Sequence, residues 1–300
     1  MVAVAGPWPW ARADLALLVG IVLALAGLAA FEHGAKAVSK YLIQACVVLL
    51  GLRLDLSTLA RAAADGFTLA IATILGALAL GLVLGRVLRT GREVSTLVSA
   101  GTAICGGSAI AAVGASIRAA SASMAVATGA IFVLNAVGLW TLPPIGHALG
   151  LTDAQFGTWA GVALHDIASV NGAAKSFGPE AVDTANVVKM VRVVWIFPLA
   201  LAAGWIVKPA GEVSAKRPPF PWFILLFVLA SAARTWVPGT GSIEGEVKHA
   251  AGMGFQAALF LIGTGLSRAA MKRVGWRALV QAAVLWVLVA AGSLAAVMYL

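Results

Sequence analysis

The sequence predicts an all-α polytopic transmembrane protein of about ten helices. Of its 300 residues, 61% are hydrophobic and 11% are charged, whereas about a quarter of the residues in an ordinary soluble domain are charged. Mean hydropathy is +0.97, and the apolar residues fall into runs of the length that a bilayer requires. We therefore expect a single integral membrane domain over residues 1–300.

The candidate segments follow one another with short connectors between them. Basic clusters and Trp residues stand near their ends, as is typical of membrane interfaces. Residues 1–14 carry one positive charge and several Trp and Pro residues, so they predict an interfacial lead-in to the first span and not a cleaved leader. We expect Pro143 and Pro144 to close the fifth segment. The ten segments are residues 15–31, 40–54, 66–87, 94–117, 121–146, 156–177, 187–207, 219–233, 250–266 and 277–300.

Lys and Arg are unevenly divided between alternate connectors. Residues 36–40, 86–92, 208–217 and 268–277 are rich in them, whereas the intervening connectors are poorer. The positive-inside rule places the basic connectors in the cytoplasm, and ten crossings would then leave both termini outside. The net charge of +9 is thus a topology signal, which argues against nucleic-acid binding.

The fourth segment has an unusual middle. Gly106 and Gly107 each weaken a helix by about 1 kcal/mol relative to Ala, and polar atoms are placed at the same depth by Thr102, Cys105 and Ser108. This pattern predicts a crossing helix that is broken near the middle of the membrane. The freed amides of such a half-helix N-terminus favour an anion. The alternative is close helix packing through small residues.

The sixth segment has a charged pair, His165 and Asp166, between two apolar halves. Ionisable groups at membrane depth are costly and usually functional, so the pair is predicted to face a water-filled cavity. Asp166 would relay a proton or bind a cation, and Ser169 and Asn171 would supply hydrogen bonds. The alternative is a short turn outside the membrane.

Lys189 and Arg192 are three residues apart and share a helix face. The guanidinium group of Arg192 offers a fork of donors to an anion, or a partner for Asp166 when the site is empty. The alternative is that both side chains snorkel to the interface at the start of the seventh span.

Two internal similarities predict inverted repeats. Residues 45–61 align without gaps with residues 257–273, and an odd number of predicted crossings separates them. Residues 100–106 resemble residues 160–166, which pairs the two interrupted segments. Interrupted segments in both halves point to a transporter binding site. With one span between them they would run in the same direction, unless the sixth segment is re-entrant.

Several classes of chemistry lack their usual residues. Cys46 and Cys105 lie in apolar runs and do not indicate a disulfide. Walker motifs, zinc-ligand spacings and nucleophile elbows are absent from the sequence, so we expect no enzyme activity, no metal and no cofactor. Gln44, Asn135 and Asn186 are lone polar residues that favour interhelical hydrogen bonds over ligand contacts.

Residues 101–112, Gly-Thr-Ala-Ile-Cys-Gly-Gly-Ser-Ala-Ile-Ala-Ala, resemble the signature of the sulfate exporter family of bacterial inner-membrane proteins, whose substrate label comes from genome context. Residues 51–56, 159–166 and 188–192 support the resemblance in chain order. The chain departs from the family at Gly107, where Asn is more usual, and at residues 167–169, where Thr-Ser-Gln is more usual. At Gly107 the backbone, more than a side chain, would then touch a ligand.

The resemblance extends to the group of bile acid/sodium symporters and cation/proton antiporters. It implies two inverted five-helix repeats, which build a core domain of crossed, broken helices and a separate panel domain. It also implies a transport role in the bacterial inner membrane, with an elevator-like shift of the core against the panel.

The function expected from the sequence is secondary active transport, as an exporter, of a small anion of the sulfate, sulfite or organosulfonate class. Coupling to a proton or sodium ion is expected through Asp166, with the lipid bilayer as the surroundings and a homodimer left open. A cation-coupled organic-acid carrier, a channel or structural membrane protein, and a membrane-embedded enzyme that uses His165 and Asp166 remain alternatives. The expected binding residues are Thr102, Cys105, Gly106, Gly107, Ser108, His165, Asp166, Ser169, Asn171, Lys189 and Arg192.

Overall fold

A computed structural model describes residues 13–28, 32–206, 222–266 and 274–299. All regular structure in these ranges is helical, which confirms the all-α polytopic fold class. One 3-10 turn, Thr240–Ile243, precedes α12. The α-helices are α1 Ala13–Leu25, α2 Glu32–Gly51, α3 Leu56–Val87, α4 Arg92–Ala103, α5 Gly107–Ser116, α6 Ser121–Ala148, α7 Asp153–Ala163, α8 Ile167–Phe177, α9 Ala181–Val194, α10 Ile196–Ile206, α11 Trp222–Trp236, α12 Glu244–Thr264 and α13 Trp276–Met298.

Four stretches within the described residues are long and apolar enough to cross a membrane: Phe67–Val87, Ala122–Ala148, Ala181–Gly204 and Trp276–Met298. The third runs through α9 and α10. The expectation that Pro143 and Pro144 close the fifth segment is wrong, because both lie inside α6, which continues to Ala148.

The fourth segment does not cross the membrane as one broken helix. The helices α4 and α5 have 12 and 10 residues, so each is about 15–18 Å long at 1.5 Å per residue, roughly half the hydrocarbon thickness. The amide of Ala120, just beyond α5, donates to a carboxylate oxygen of Glu93 at the start of α4 at 3.1 Å. Both ends therefore lie on the same side, and α4–α5 is a re-entrant hairpin, here called hairpin A.

The sixth segment is a second re-entrant hairpin. The helices α7 and α8 have 11 residues each. The amide of Glu180, just beyond α8, donates to a carboxylate oxygen of Asp153 at the start of α7 at 3.1 Å. The segment Asp153–Phe177, here called hairpin B, thus enters and leaves on one side. His165 and Asp166 lie at its tip and not in an extramembrane turn.

The two hairpins enter from opposite ends of the helices beside them. Ser121, at the start of α6, follows the base of hairpin A, and Ala148, at the end of α6, precedes the base of hairpin B. Along α13, the Gln281 side chain donates to the Ser95 hydroxyl of hairpin A at 3.0 Å. Further along, Ala290 O accepts from the indole of Trp159 in hairpin B at 2.8 Å.

This arrangement corrects the expectation of ten crossings, because two of the ten segments return to their own side. It also removes the directional difficulty of the shorter repeat. Residues 100–106 and 160–166 form the end of the first helix and the tip in each hairpin, and the hairpins point in opposite directions. This is the relation that an inverted repeat requires.

The helices form two groups. The hairpins pack among α3, α6, α9–α10 and α13, whereas α1, α2, α11 and α12 pack against one another. The groups meet mainly where α8 lies against α12 and α1, and where α3 lies against α11. This grouping matches the core and panel that the family resemblance implies. The longer repeat stays a prediction, since residues 267–273 lie outside the described residues.

Candidate functional site

The two hairpin tips meet at the middle of α6. Tip A is residues 104–106 and tip B is residues 164–166. Asn135, halfway along α6, bridges to tip B: its side-chain oxygen accepts from the backbone amide of His165 at 2.8 Å, and its amide nitrogen donates to the carboxylate of Asp166. A methyl group at Gly106 would lie 3.2 Å from the β-carbon of His165, so the tips are in direct contact.

Gly106 has a backbone conformation that favours glycine. Its φ angle is +63°, which lies in the region where a side chain is strained. The chain turns here from α4 into α5, and the small residue also admits tip B. The predicted break between the two halves of the fourth segment is therefore located correctly, although the result is a hairpin.

Asp166 closes the N-terminus of α8. One carboxylate oxygen accepts from the backbone amide of Ser169 at 2.8 Å, and the other accepts from the Ser169 hydroxyl at 2.7 Å. An acidic N-cap supplies the acceptor that the first turn lacks and opposes the positive end of the helix dipole. Asp166 and Ser169, both predicted ligands, are thus occupied with each other and with Asn135.

Lys189 binds the C-terminal ends of α4 and α7, which are the first helices of the two hairpins. Its ammonium group donates to Leu164 O at 2.5 Å, to Ile104 O at 3.1 Å and to Gly161 O at 3.4 Å. These are the carbonyls at the C-terminal ends of α4 and α7, where the helix dipole is negative. The side chain is 1% exposed, so the alternative in which it snorkels to the interface is wrong.

Arg192 completes the same arrangement one turn further along α9. Its guanidinium donates to Ala103 O at the end of α4, and to the Thr73 hydroxyl of α3 at 2.5 Å. The side chain is fully buried. It forms no hydrogen bond to Asp166 in the structure, so the expected pairing of the two in an empty site is wrong. Its position behind the tips also argues against direct contact with a ligand.

Asn171 is tied to Asn186, one helix away. The amide of Asn171 donates to the side-chain oxygen of Asn186 at 2.6 Å, and Asn186 returns a hydrogen bond at 3.2 Å. The pair fastens α8 to α9. Asn186 behaves as the sequence predicts, as an interhelical hydrogen-bonding residue, whereas the predicted ligand Asn171 plays the same part.

The N-terminus of α5 differs from all these helix ends. Its N-cap, Gly106, has no side chain to accept from the first turn. Gly107 is half-buried and Ser108 is exposed, while the sulfur of Cys105 lies within hydrogen-bonding reach of the Ser108 hydroxyl and the Ala109 amide. The amides of Gly107 and Ser108 have no acceptor within the helix.

Among the buried polar atoms near the tips that have no hydrogen-bond partner in the described part of the chain, two belong to the hairpins themselves. One is the hydroxyl of Thr102 in the last turn of α4, and the other is Nε2 of His165. Both residues are almost fully buried, with 3% and 1% of their surface exposed. Buried polar groups normally find partners, so these two atoms call for an explanation. Within the described residues, no cluster of His, Cys, Asp or Glu is suited to a metal ion.

Sequence reasoning assigned Asn135 only an interhelical hydrogen bond and did not single out Thr73 at all. Asn135 does make interhelical bonds, but to the tip that carries His165 and Asp166. Its position at the centre of a long apolar run is a signal that could have placed it beside the site. Nothing in the sequence around Thr73 marks it as the partner of a guanidinium on another helix.

The fold and site together define a polytopic α-helical membrane protein with two opposed hairpins. The family described as Conserved hypothetical protein 698 has a model that matches residues 11–282, and the chain belongs to this family. Curated relatives are UPF0324 membrane proteins. The chain is 42% identical to one from Porphyromonas gingivalis over 292 residues, which are 95% of this chain and 87% of the relative.

A second relative, from Bacteroides thetaiotaomicron, is 39% identical over 288 residues, which cover 95% of this chain and 86% of the relative. A third, from Geobacter sulfurreducens, is 41% identical over 288 residues, which cover 96% and 91%. No solved structure matches this chain.

Proposed function

We propose that this protein is a secondary transporter of a small anion of the sulfate, sulfite or organosulfonate class, located in the bacterial inner membrane. The observation that carries the proposal is the open N-terminus of α5 at the meeting point of two opposed hairpins. Half-helix N-termini at mid-membrane depth bind the anionic groups of substrates in other transporters.

The balance of charge around the tips supports an anion. The negative ends of α4 and α7 are neutralised by Lys189 and Arg192, and the positive end of α8 is neutralised by Asp166. The positive end of α5 has no such partner. Two buried cationic side chains therefore stand behind one carboxylate and one open helix N-terminus, so the site carries an excess of positive charge.

The two helix groups supply a way to expose the site alternately. Among the described residues, hairpin B meets the second group mainly through the contact of α8 with α12 and α1. A movement of the core along this contact would carry both tips together, because Lys189 ties them to one another. The site would then open to each side in turn without being rebuilt.

The hairpins also bear on how the protein is oriented in the membrane. Since hairpin A returns to its own side, Arg118 joins the basic connector at residues 86–92. The positive-inside rule places this side in the cytoplasm. The opposite side carries the pair of Arg53 and Asp183 at 2.8 Å. We take export as the direction from the resemblance of residues 101–112 to the sulfate exporter family.

The test is a screen of purified protein in detergent against sulfate, sulfite, methanesulfonate and a dicarboxylate. A small oxyanion should raise the midpoint of thermal unfolding, since a ligand that binds only the folded state stabilises it. The same anion, radiolabelled, should show saturable counterflow in proteoliposomes. If none of the three sulfur anions stabilises the protein, the proposed substrate class is wrong.

The alternatives give different results in these two assays. An organic-acid carrier would be stabilised by the dicarboxylate and not by the sulfur anions. A channel would pass anion current without saturation and without counterflow. A membrane-embedded enzyme would return a chemically altered product.

A further inference from the structure

The hydrogen bonds around Asn135 fix the tautomer of His165. The side-chain oxygen of Asn135 is identified by the backbone amide that donates to it, and its nitrogen by the carboxylate that accepts from it. The same oxygen lies 3.0 Å from Nδ1 of His165. An amide oxygen only accepts, so Nδ1 carries a hydrogen, and Nε2 of the neutral ring bears a lone pair.

This lone pair is both buried and unused. His165 is 1% exposed, and Nε2 has no hydrogen-bond partner among the described residues. The β-carbon of His165 packs against Gly106, the N-cap of α5. His165 therefore brings a buried basic nitrogen that has no hydrogen-bond partner to the contact between the two tips, with its β-carbon beside the N-cap of α5.

Burial of the ring and the surrounding charges both oppose a proton on this nitrogen. Lys189 and Arg192 from α9 both act on the ring electrostatically, Asp166 lies beside it on tip B, and the Cys105 thiol lies on tip A. Asn135 of α6 is neutral. A third cation beside Lys189 and Arg192 is opposed by both. A bound anion at α5 offsets that repulsion and offers an acceptor for a new Nε2–H donor.

We propose that His165 takes up one proton at Nε2 when the anion binds at the N-terminus of α5, so that the site binds proton and anion together. This inference rests on the proposed function and assigns its coupling group. It moves the coupling role expected for Asp166 to His165, because Asp166 already caps α8 and bonds Asn135. The step is an addition in which a proton from solvent binds to Nε2. Binding of a dianion together with this proton changes the net charge of the site by −1 and not by −2.

The experiment counts protons on binding. Sulfate is titrated into the purified protein by calorimetry at one pH in two buffers of different ionisation enthalpy, with methanesulfonate as a monoanionic second probe. The wild type should take up about one proton for each anion bound, and sulfate affinity should fall up to about tenfold for each unit of rising pH. Binding with no proton uptake would overturn the inference and leave the proposed transporter standing. If neither anion binds, both proposals fail.

Matched variants locate the proton. His165→Asn keeps an amide that can replace Nδ1–H towards Asn135 but has no titratable nitrogen, so it should bind sulfate with no proton uptake and little dependence on pH. His249→Gln, at an exposed position on α12, should retain the uptake. Asp166→Asn should retain it as well, and loss of the uptake only in this variant would assign the proton to Asp166 instead.

A second measurement does not depend on any variant. Nitrogen-15 spectra of histidine-labelled protein should show one buried ring in the Nδ1–H tautomer without sulfate, and that ring should become doubly protonated with saturating sulfate. A buried ring in the Nε2–H tautomer would contradict the argument at its first step.

Discussion

The two hairpin tips share a plan but end differently. In hairpin B, Asp166 caps the returning helix with its own side chain and is held in turn by Asn135. In hairpin A, Gly106 offers no cap, and Gly107 and Ser108 leave the start of α5 accessible. The returning helix of hairpin B is thus capped by a side chain, whereas the returning helix of hairpin A has the features of a binding site. The contrast singles out the start of α5, where the amides of Gly107 and Ser108 have no acceptor within the helix, as the helix end that is left for a ligand.

The first helices of the two hairpins, α4 and α7, differ from α5. Side chains donate hydrogen bonds to the carbonyls at the C-terminal ends of both. Lys189 and Arg192 satisfy carbonyls at the ends of α4 and α7. These cations therefore set the charge of the site from behind the tips. The predictions that follow test this division between closed and open helix ends, from the largest expected effect to the smallest.

The largest effect is expected for Lys189→Met. Three carbonyl oxygens would lose a buried donor, each at a cost of about 1–3 kcal/mol, so the free energy of unfolding should fall by several kcal/mol in total. The midpoint of thermal unfolding in detergent measures this. Lys248→Met, at an exposed position, is the control and should change stability by less than about 0.5 kcal/mol. If the two variants had equal stability, Lys189 would have no stabilising role at the ends of α4 and α7.

A smaller loss of stability is expected for Asn135→Leu. The substitution leaves the amide of His165 and the carboxylate of Asp166 without their partner on α6, which should cost about 2–4 kcal/mol. Gln44→Leu is a matched change of a buried amide away from the tips. If Asn135→Leu destabilised no more than Gln44→Leu, the bridge between α6 and tip B would be unimportant.

Substitutions at Asp166 distinguish its role as the N-cap of α8 from the effect of its negative charge. Asn is as good an N-cap as Asp, whereas Ala costs about 1 kcal/mol. Asp166→Asn should therefore be the more stable of the two variants, and it should bind sulfate more tightly than the wild type because one negative charge is removed. Weaker sulfate binding by Asp166→Asn would show that the carboxylate assists the ligand directly.

The smallest effect is expected for Asp183→Asn, which removes the pair with Arg53 at the edge between the two helix groups. The carboxylate is 38% exposed, and such pairs contribute at most about 1 kcal/mol. Sulfate binding should stay within about twofold of the wild type, since this pair is remote from the tips. A larger change in binding would mean that this contact controls access to the site.

Much of this contrast could be predicted from the sequence. The glycines at residues 106–107 and the charged pair at residues 165–166 located both breaks, and the similarity of residues 100–106 to 160–166 located both tips. The sequence could not distinguish a crossing from a hairpin, because an apolar run of this length fits either one. Only tertiary contacts, such as that between Glu93 and the Ala120 amide, decide between them.

The same limit applies to the cations. Lys189 and Arg192 were expected to balance a bound anion or to lie at an interface, because a sequence pattern gives the shared face of a helix and not its depth. Their partners are backbone carbonyls, which carry no sequence signal. Asp166 was assigned a coupling role for a similar reason, since its cap to Ser169 depends on where α8 begins.

The central claim is that the open N-terminus of α5 binds the anion. Its most direct test compares Ser108→Asp with Ser108→Asn in counterflow of radiolabelled sulfate. An Asp in the first turn satisfies the helix dipole from within, so Ser108→Asp should fold as well as the wild type yet lose at least about tenfold in counterflow, while Ser108→Asn retains it. Undiminished sulfate counterflow by a folded Ser108→Asp protein would contradict the account.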